Sequence, residues 1–179
     1  MDAINHRWVH NRKGFTVVEL LIVIVVIGIL AAITIVAYNG IQNRANDAAV
    51  QSDVAALVKK IKLLEVDLGA VPPSGQRVTG SGSVFPGITF SPSKSAYYTS
   101  DQDNLFYCDG DRSGVRVYQV TAKSKSGTVF IYKSDSGFSS TTGSSAATNC
   151  YAGFDAGTMK YTFGWNLVGG NWFSWTNGP

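Results

Sequence analysis

The longest unbroken feature of the chain is apolar: from Leu20 to Ile33 no side chain is polar. With Val17, Val18 and Thr34 to Tyr38 the run reaches the roughly 20 residues that carry a helix across a bilayer. Asn39-Gly40 interrupts it but need not end the helix, since an interior glycine costs only about 1 kcal/mol relative to alanine. Beyond it, Val50, Val54, Leu57, Ile61, Leu64 and Leu68 recur at alternating steps of four and three. That spacing is a narrow apolar stripe on an amphipathic helix, with Lys59, Lys60, Lys62, Glu65 and Asp67 on other faces or at its edges. Gly69 then supplies a left-handed cap, and Pro72-Pro73 forbid continuation. The pattern predicts one helix from about Thr16 to Leu68, ~80 Å long at ~1.5 Å per residue.

From Ala70 onward Ser, Gly and Thr rise and apolar residues come in short pieces. Val84 to Phe90 is broken by Pro86-Gly87 and reads as an edge piece or loop. Leu105-Phe106-Tyr107-Cys108 is a short apolar run. Val115 to Ala122 and Thr128 to Lys133 read as strands joined around Lys125-Ser126-Gly127. Met159 to Val168 and Asn171 to Thr176 form a second predicted hairpin, turning at Gly169-Gly170. Ser139 to Thr148 has no core-forming pattern and reads as an exposed loop. The expected fold class is α+β: a long N-terminal helix packed on an antiparallel sheet of about four strands. The apolar stripe fits packing against this head better than a coiled coil, because it runs under three heptads and lacks charges that would specify pairing.

One carboxylate, Glu19, stands at the head of the oily run. An acid within a membrane segment costs about 2.5–3.5 kcal/mol at the bilayer centre and less toward an edge, so it is normally kept for a purpose. Ahead of it lie the basic residues Arg12 and Lys13, then Gly14 and Phe15. A secretory signal peptide would have an apolar centre of only ~7–15 residues and no use for this glutamate. A plain single-pass anchor explains the length but not Gly14-Phe15 or Glu19. In either topology Arg7, Arg12 and Lys13 against Asp2 place the N-terminus in the cytoplasm and everything after Tyr38 outside.

The stretch from Lys13-Gly14-Phe15-Thr16-Val17-Val18-Glu19 through Ile33 resembles the N-terminal signature of bacterial type IV pilins and their pseudopilin relatives. The likeness covers about residues 12 to 47. It implies a pilin fold, and cleavage by a prepilin peptidase after Gly14 with methylation of the new amine on Phe15. It further implies a helix that polymerises in the core of a homo-oligomeric filament. Residues 1–14 are then a cleaved cytoplasmic leader and 15–38 the membrane and filament-core half of the helix. The amphipathic outer half is 39–68 and the β head is 69–179. One departure is Val36, where many members carry a proline near which their helix kinks or melts. Cleavage would put an ammonium on Phe15 one turn from Glu19. In an apolar filament core that carboxylate needs a cation, and the amine of a neighbouring Phe15 would supply it and set the axial register.

The net charge of +3 falls to +1 when the leader leaves with three cations and one carboxylate, so a near-neutral mature chain is no strong electrostatic binder of nucleic acid. Both histidines, His6 and His10, leave too, which excludes Ser-His-Asp and Cys-His catalysis. No enzymatic activity and no cofactor are expected. Cys108 and Cys150, both on the outer side, read as one disulfide contributing about 4 kcal/mol. Two thiolates without histidines make an incomplete zinc set. Type IV pilins commonly staple the C-terminal part of the head, so the resemblance points to the same disulfide.

Three surface features remain open. Asp109, Asp111 and Ser113 alternate before Gly114 like the first half of a calcium loop, although Val120 stands where an EF-hand needs its last acid. A plain turn accounts for the same residues. Tyr161, Phe163, Trp165, Trp172, Phe173 and Trp175 crowd the C-terminus and would pack the sheet or the neighbouring subunit. If exposed, Trp165, Trp172 and Trp175 would instead offer a surface to glycans or a host. Lys123, Lys125 and Lys133 flank the first hairpin, either as a solvated edge or as a contact for DNA.

Overall fold

The computed structural model describes residues 14–74, 87–100, 104–166 and 170–176. The leader, the stretch Val84 to Pro86, and the Gly169 half of the second predicted turn lie outside them. The chain divides into two compact units, Met1–Gly40 and Ile41–Pro179.

A single helix, α1, runs Val17–Leu68 without a break at Val36 or Gly40. In the first unit no described residue covers it: the large apolar side chains from Leu20 to Ile33 are each 46–62% exposed. The mean hydropathy there reaches 3.3 over eighteen residues, long and apolar enough to cross a membrane.

In the second unit the stripe does what its period predicts. Val50, Val54, Leu57 and Ile61 are fully buried, Val58 joins them, and Leu64 is half-buried, while Leu68 is exposed. The helix ends where Gly69 turns left-handed, with φ of 65°.

Among the described residues, five strands form one antiparallel sheet: β1 (Leu105–Arg112), β2 (Val115–Lys123), β3 (Thr128–Lys133), β4 (Gly137–Thr142) and β5 (Lys160–Phe163). Their order is β4-β3-β2-β1-β5. A two-residue pair, β6 (Trp165–Asn166) with β7 (Asn171–Trp172), lies beside it. Both faces of the sheet are covered, which is why Leu105 to Cys108 reads as a continuous apolar run. Leu105, Tyr107, Tyr118, Val120 and Phe130 pack with the α1 stripe. Phe106, Cys108, Val129 and Ile131 pack on the opposite face with a short helix, α2 (Ala146–Tyr151).

Three expectations are corrected. The sheet has five strands, not about four. Ser139 to Thr148 is not a loop: its first part belongs to β4, in register with β3 from Thr128↔Thr142 to Lys133↔Gly137. Its last part opens α2, whose N-cap Ser145 accepts from Thr148 N at 2.9 Å. An edge strand solvated on one side needs no apolar alternation, and a helix of six residues shows no readable period. Finally, the run from Met159 divides at Gly164, so that β5 pairs with β1 and only the short β6 pairs with β7. At Gly164 a Cβ would meet Leu105 and Trp172 within 3.3 Å, so the chain turns there only because no side chain is present.

Two half-buried carboxylates on α1 meet the head. Asp47 accepts from Ser124 and Ser126 hydroxyls, and from Thr128 Oγ1 at 3.3 Å. Asp53 accepts from Ser93 N at 2.6 Å and Tyr97 OH at 3.1 Å. Burial raises the Asp53 carboxyl above its ordinary value, and these donors only partly offset the effect. Burial, reinforced by Asp53, likewise pushes the Tyr97 phenol well up.

Candidate functional site

The site that chemistry singles out is the start of α1. Gly14, Phe15 and Thr16 precede the first helical residue, Val17. Thr16 and Glu19 form a reciprocal capping box. Glu19 Oε2 accepts from Thr16 N and from Thr16 Oγ1, each at 2.8 Å, while Thr16 Oγ1 accepts from Glu19 N at 3.2 Å. The first full helical bond, Leu20 N to Thr16 O, follows at 3.2 Å. Val17 and Val18 have low helix propensity, so this box decides where the helix begins. Phe15 is therefore the residue before the cap, 85% exposed, and the Gly14–Phe15 bond lies in non-helical backbone. The T-x-x-E spacing was the signal for this box, and a reading centred on the charge of Glu19 passed over it. Both internal bonds to the carboxylate fall on Oε2.

Residues 9–35 match the family described as the prokaryotic N-terminal methylation motif. The type IV narrow pilus major component PilA5 of Thermus thermophilus is 39% identical over 66 residues, 37% of this chain and 57% of that protein. The type IV wide pilus major component PilA4 of the same organism is 44% identical over 57 residues, 32% of this chain and 44% of its own length. Over its N-terminal part the chain is thus similar to type IV pilins. A type II secretion system core protein G from Klebsiella michiganensis is 32% identical over 66 residues, 37% of this chain and 46% of that protein. The matches thus span about half the length of these relatives, which are pilus and secretion-system components, not enzymes. No solved structure matches the chain.

In the head, Cys108 and Cys150 form a disulfide, with Cα atoms 5.7 Å apart. It fastens α2 to β1. Two polar side chains of β2 complete the attachment: Gln119 Nε2 donates to Ala152 O at 2.9 Å, and Thr121 Oγ1 donates to Ala146 O at 2.8 Å. Nothing in the sequence pattern distinguished these two from surface residues.

Asp109, Asp111 and Ser113 do not gather as a loop. Asp109 and Asp111 are on β1 and share one face, where Arg116 of β2 pairs with both. Asp109 is fully buried and also accepts from Ser74 N at 2.8 Å. Ser113, with φ of 53°, and Gly114, with φ of 75°, form the two-residue turn from β1 to β2. The carboxylate of Asp155 holds that turn, accepting from Ser113 N at 3.2 Å and Gly114 N at 3.1 Å. Among the described residues no three His, Cys, Asp or Glu side chains group to hold a metal.

Trp175 is not a surface residue: it is 3% exposed, and its indole N–H donates to Phe163 O at 3.2 Å. Trp172 is half-buried against Tyr97, edge to face at 5.3 Å, and Trp165 is half-buried on β6. Lys123 lies over the exposed ring of Tyr98, 5.2 Å from its centre, while Lys125 is solvated.

Proposed function

We propose that this chain is a precursor of a type IV pilus structural subunit. A prepilin peptidase cuts it between Gly14 and Phe15, and the new Phe15 amine is methylated. Before assembly the segment 15–38 rests in the cytoplasmic membrane with its N-terminus inside and everything after Tyr38 outside. The subunit then joins a helical homo-oligomer through that same segment and is carried beyond the cell in a surface filament. Adhesion, motility or DNA uptake is the work of such a filament, and its partners are the assembly machinery and whatever the outer surface meets.

The observation that carries this reading is an apolar helix exposed on every side with one capped acid at its head. A helix apolar all round needs either lipid or other helices. Both hydrogen bonds that the Glu19 carboxylate accepts within the box use Oε2, and a carboxylate has acceptor positions to spare on Oε1. A neighbouring Phe15 ammonium fits that position. It would neutralise the carboxylate without breaking the cap, and the pair forms only at one axial offset between subunits.

A second reading, a pseudopilin of a type II-like secretion apparatus, is favoured by the likeness to core protein G. Mass spectrometry of the native protein together with electron microscopy of shed surface material tests the proposal. A mature chain beginning at N-methylated Phe15 and present in long surface filaments is the expected result. Short filaments seen only with the secretion apparatus would favour the pseudopilin, and a monomer still beginning at Met1 would refute both.

A further inference from the structure

Among the described residues, the edge of the sheet at β4 is unguarded. In the strand order β4 has β3 as its neighbour and no strand beyond it among the described residues. At the opposite edge, the end of β5 is met by the C-terminal segment: Trp175 Nε1 donates to Phe163 O at 3.2 Å and Phe173 N to Gly164 O at 2.9 Å. Natural sheets blunt an open edge with charge, proline or a covering segment. Gly137-Phe138-Ser139-Ser140-Thr141-Thr142 has neither charge nor proline, and Phe138, Ser139, Ser140 and Thr142 are exposed.

Hydrogen-bond parity shows which backbone groups are open. Ser134 N donates to Tyr118 O, and Ser124 N donates to Thr128 O, so the even-numbered residues of β3 point toward β2. The odd-numbered residues of β3 therefore point toward β4, where they meet Gly137, Ser139 and Thr141. Phe138, Ser140 and Thr142 are left with N–H and C=O directed away from the sheet. Three outward pairs centred on Ser140 are self-complementary. An antiparallel copy of the same strand places Ser140 opposite Ser140, and Phe138 opposite Thr142, with no charge opposed to a like charge.

We propose that β4 is an interface between two copies of this chain, which pair edge to edge across a two-fold axis at Ser140 and join their sheets into one. Six residues of strand bury less than the ~1,200 Å² of a stable interface, so a single pair is weak. Repeated along two filaments, the same contact gains from effective concentration and binds them side by side. That consequence rests on the filament reading, whereas the pairing itself does not.

Two variants test it in the intact chain. Ser140→Pro removes an outward N–H and leaves every bond to β3 in place. Ser140→Cys puts thiols opposite each other across the axis, at the ~5.5 Å Cα separation of a hydrogen-bonded pair, which is within disulfide range. Expected are bundled wild-type filaments, single filaments of normal length for Ser140→Pro, and a reducible dimer as the main product when Ser140→Cys is oxidised. Bundles unchanged in Ser140→Pro, or Ser140→Cys that stays monomeric on oxidation, would overturn the interface. If no filaments form at all, the filament reading fails, and oxidation of Ser140→Cys in detergent still decides the pairing.

Discussion

Thr16 and Glu19 hold each other at the first turn of α1, the carboxylate accepting twice at 2.8 Å and the threonine hydroxyl accepting once at 3.2 Å. Glu19 caps its own helix, and in the proposed assembly it also offers a charge to a neighbour; substitutions can tell the two roles apart.

Thr16→Val removes the hydroxyl and keeps the shape, at about 1 kcal/mol of lost cap. Glu19→Gln keeps an acceptor for Thr16 but removes the charge. If pairing with the Phe15 amine drives assembly, Glu19→Gln and Glu19→Ala both remain membrane-resident and processed while filament yield falls about tenfold or more, since breaking a buried pair costs about 3–5 kcal/mol. Thr16→Val should lose much less. Sedimented filament, measured against membrane-bound processed chain, checks this, and normal yield from Glu19→Gln would remove the charge from the mechanism.

Arg116 is the ionic partner of the buried Asp109. Arg116→Ala strands that carboxylate in the core, and because Arg116 is itself 37% exposed the expected cost is about 2–3 kcal/mol, under the range for a fully buried pair. Asp135→Ala, which breaks the surface pair with Arg112, should cost about 1 kcal/mol or less. Urea denaturation of the two variants in detergent gives the comparison, and equal losses would contradict it.

Replacing both Cys108 and Cys150 by serine opens a span of 42 residues and should cost about 4 kcal/mol on the loop-entropy model. Gln119 and Thr121 still tether α2, so the loss should be graded by region, with new protease cuts between Ser144 and Gly153 and continued protection of β1 to β3. Cleavage spread evenly through the head would mean that the disulfide holds the whole sheet.

Asp53 sets a pH dependence of unusual sign for a carboxylate. Its folded-state value is raised by burial, so its stabilising share is complete below the unfolded value of about 3.9 and is lost as pH climbs through the raised value. Asparagine at 53 keeps an acceptor for Ser93 N and does not titrate. The stability of the native chain relative to Asp53→Asn should therefore decline as pH rises above the unfolded carboxyl value of about 3.9. A difference that grows over that interval would show that the bonds from Ser93 and Tyr97 outweigh burial.

What could be read directly from the residues is whatever one period or one local rule determines. The apolar run, the stripe from Val50 to Leu64, the cap at Gly69 and the strands Val115–Lys123 and Thr128–Lys133 each depend on neighbours a few positions away. So does the signature around Gly14 and Glu19, because helix start and charge sit within one turn. Only the tertiary structure decided the rest, because the deciding partner is distant along the chain. β5 leaves its expected hairpin for β1, about 55 residues earlier, because Gly164 lets the backbone turn against Leu105 and Trp172. The Ser/Thr tract becomes β4 and α2 because β3 presents an open ladder and because Gln119 and Thr121 reach across to the helix. Asp109 is committed to Arg116, and Trp175 is drawn into the core, by contacts that no local pattern encodes. Short-range periodicity records which surface a segment must bury, but not which of several partners will bury it.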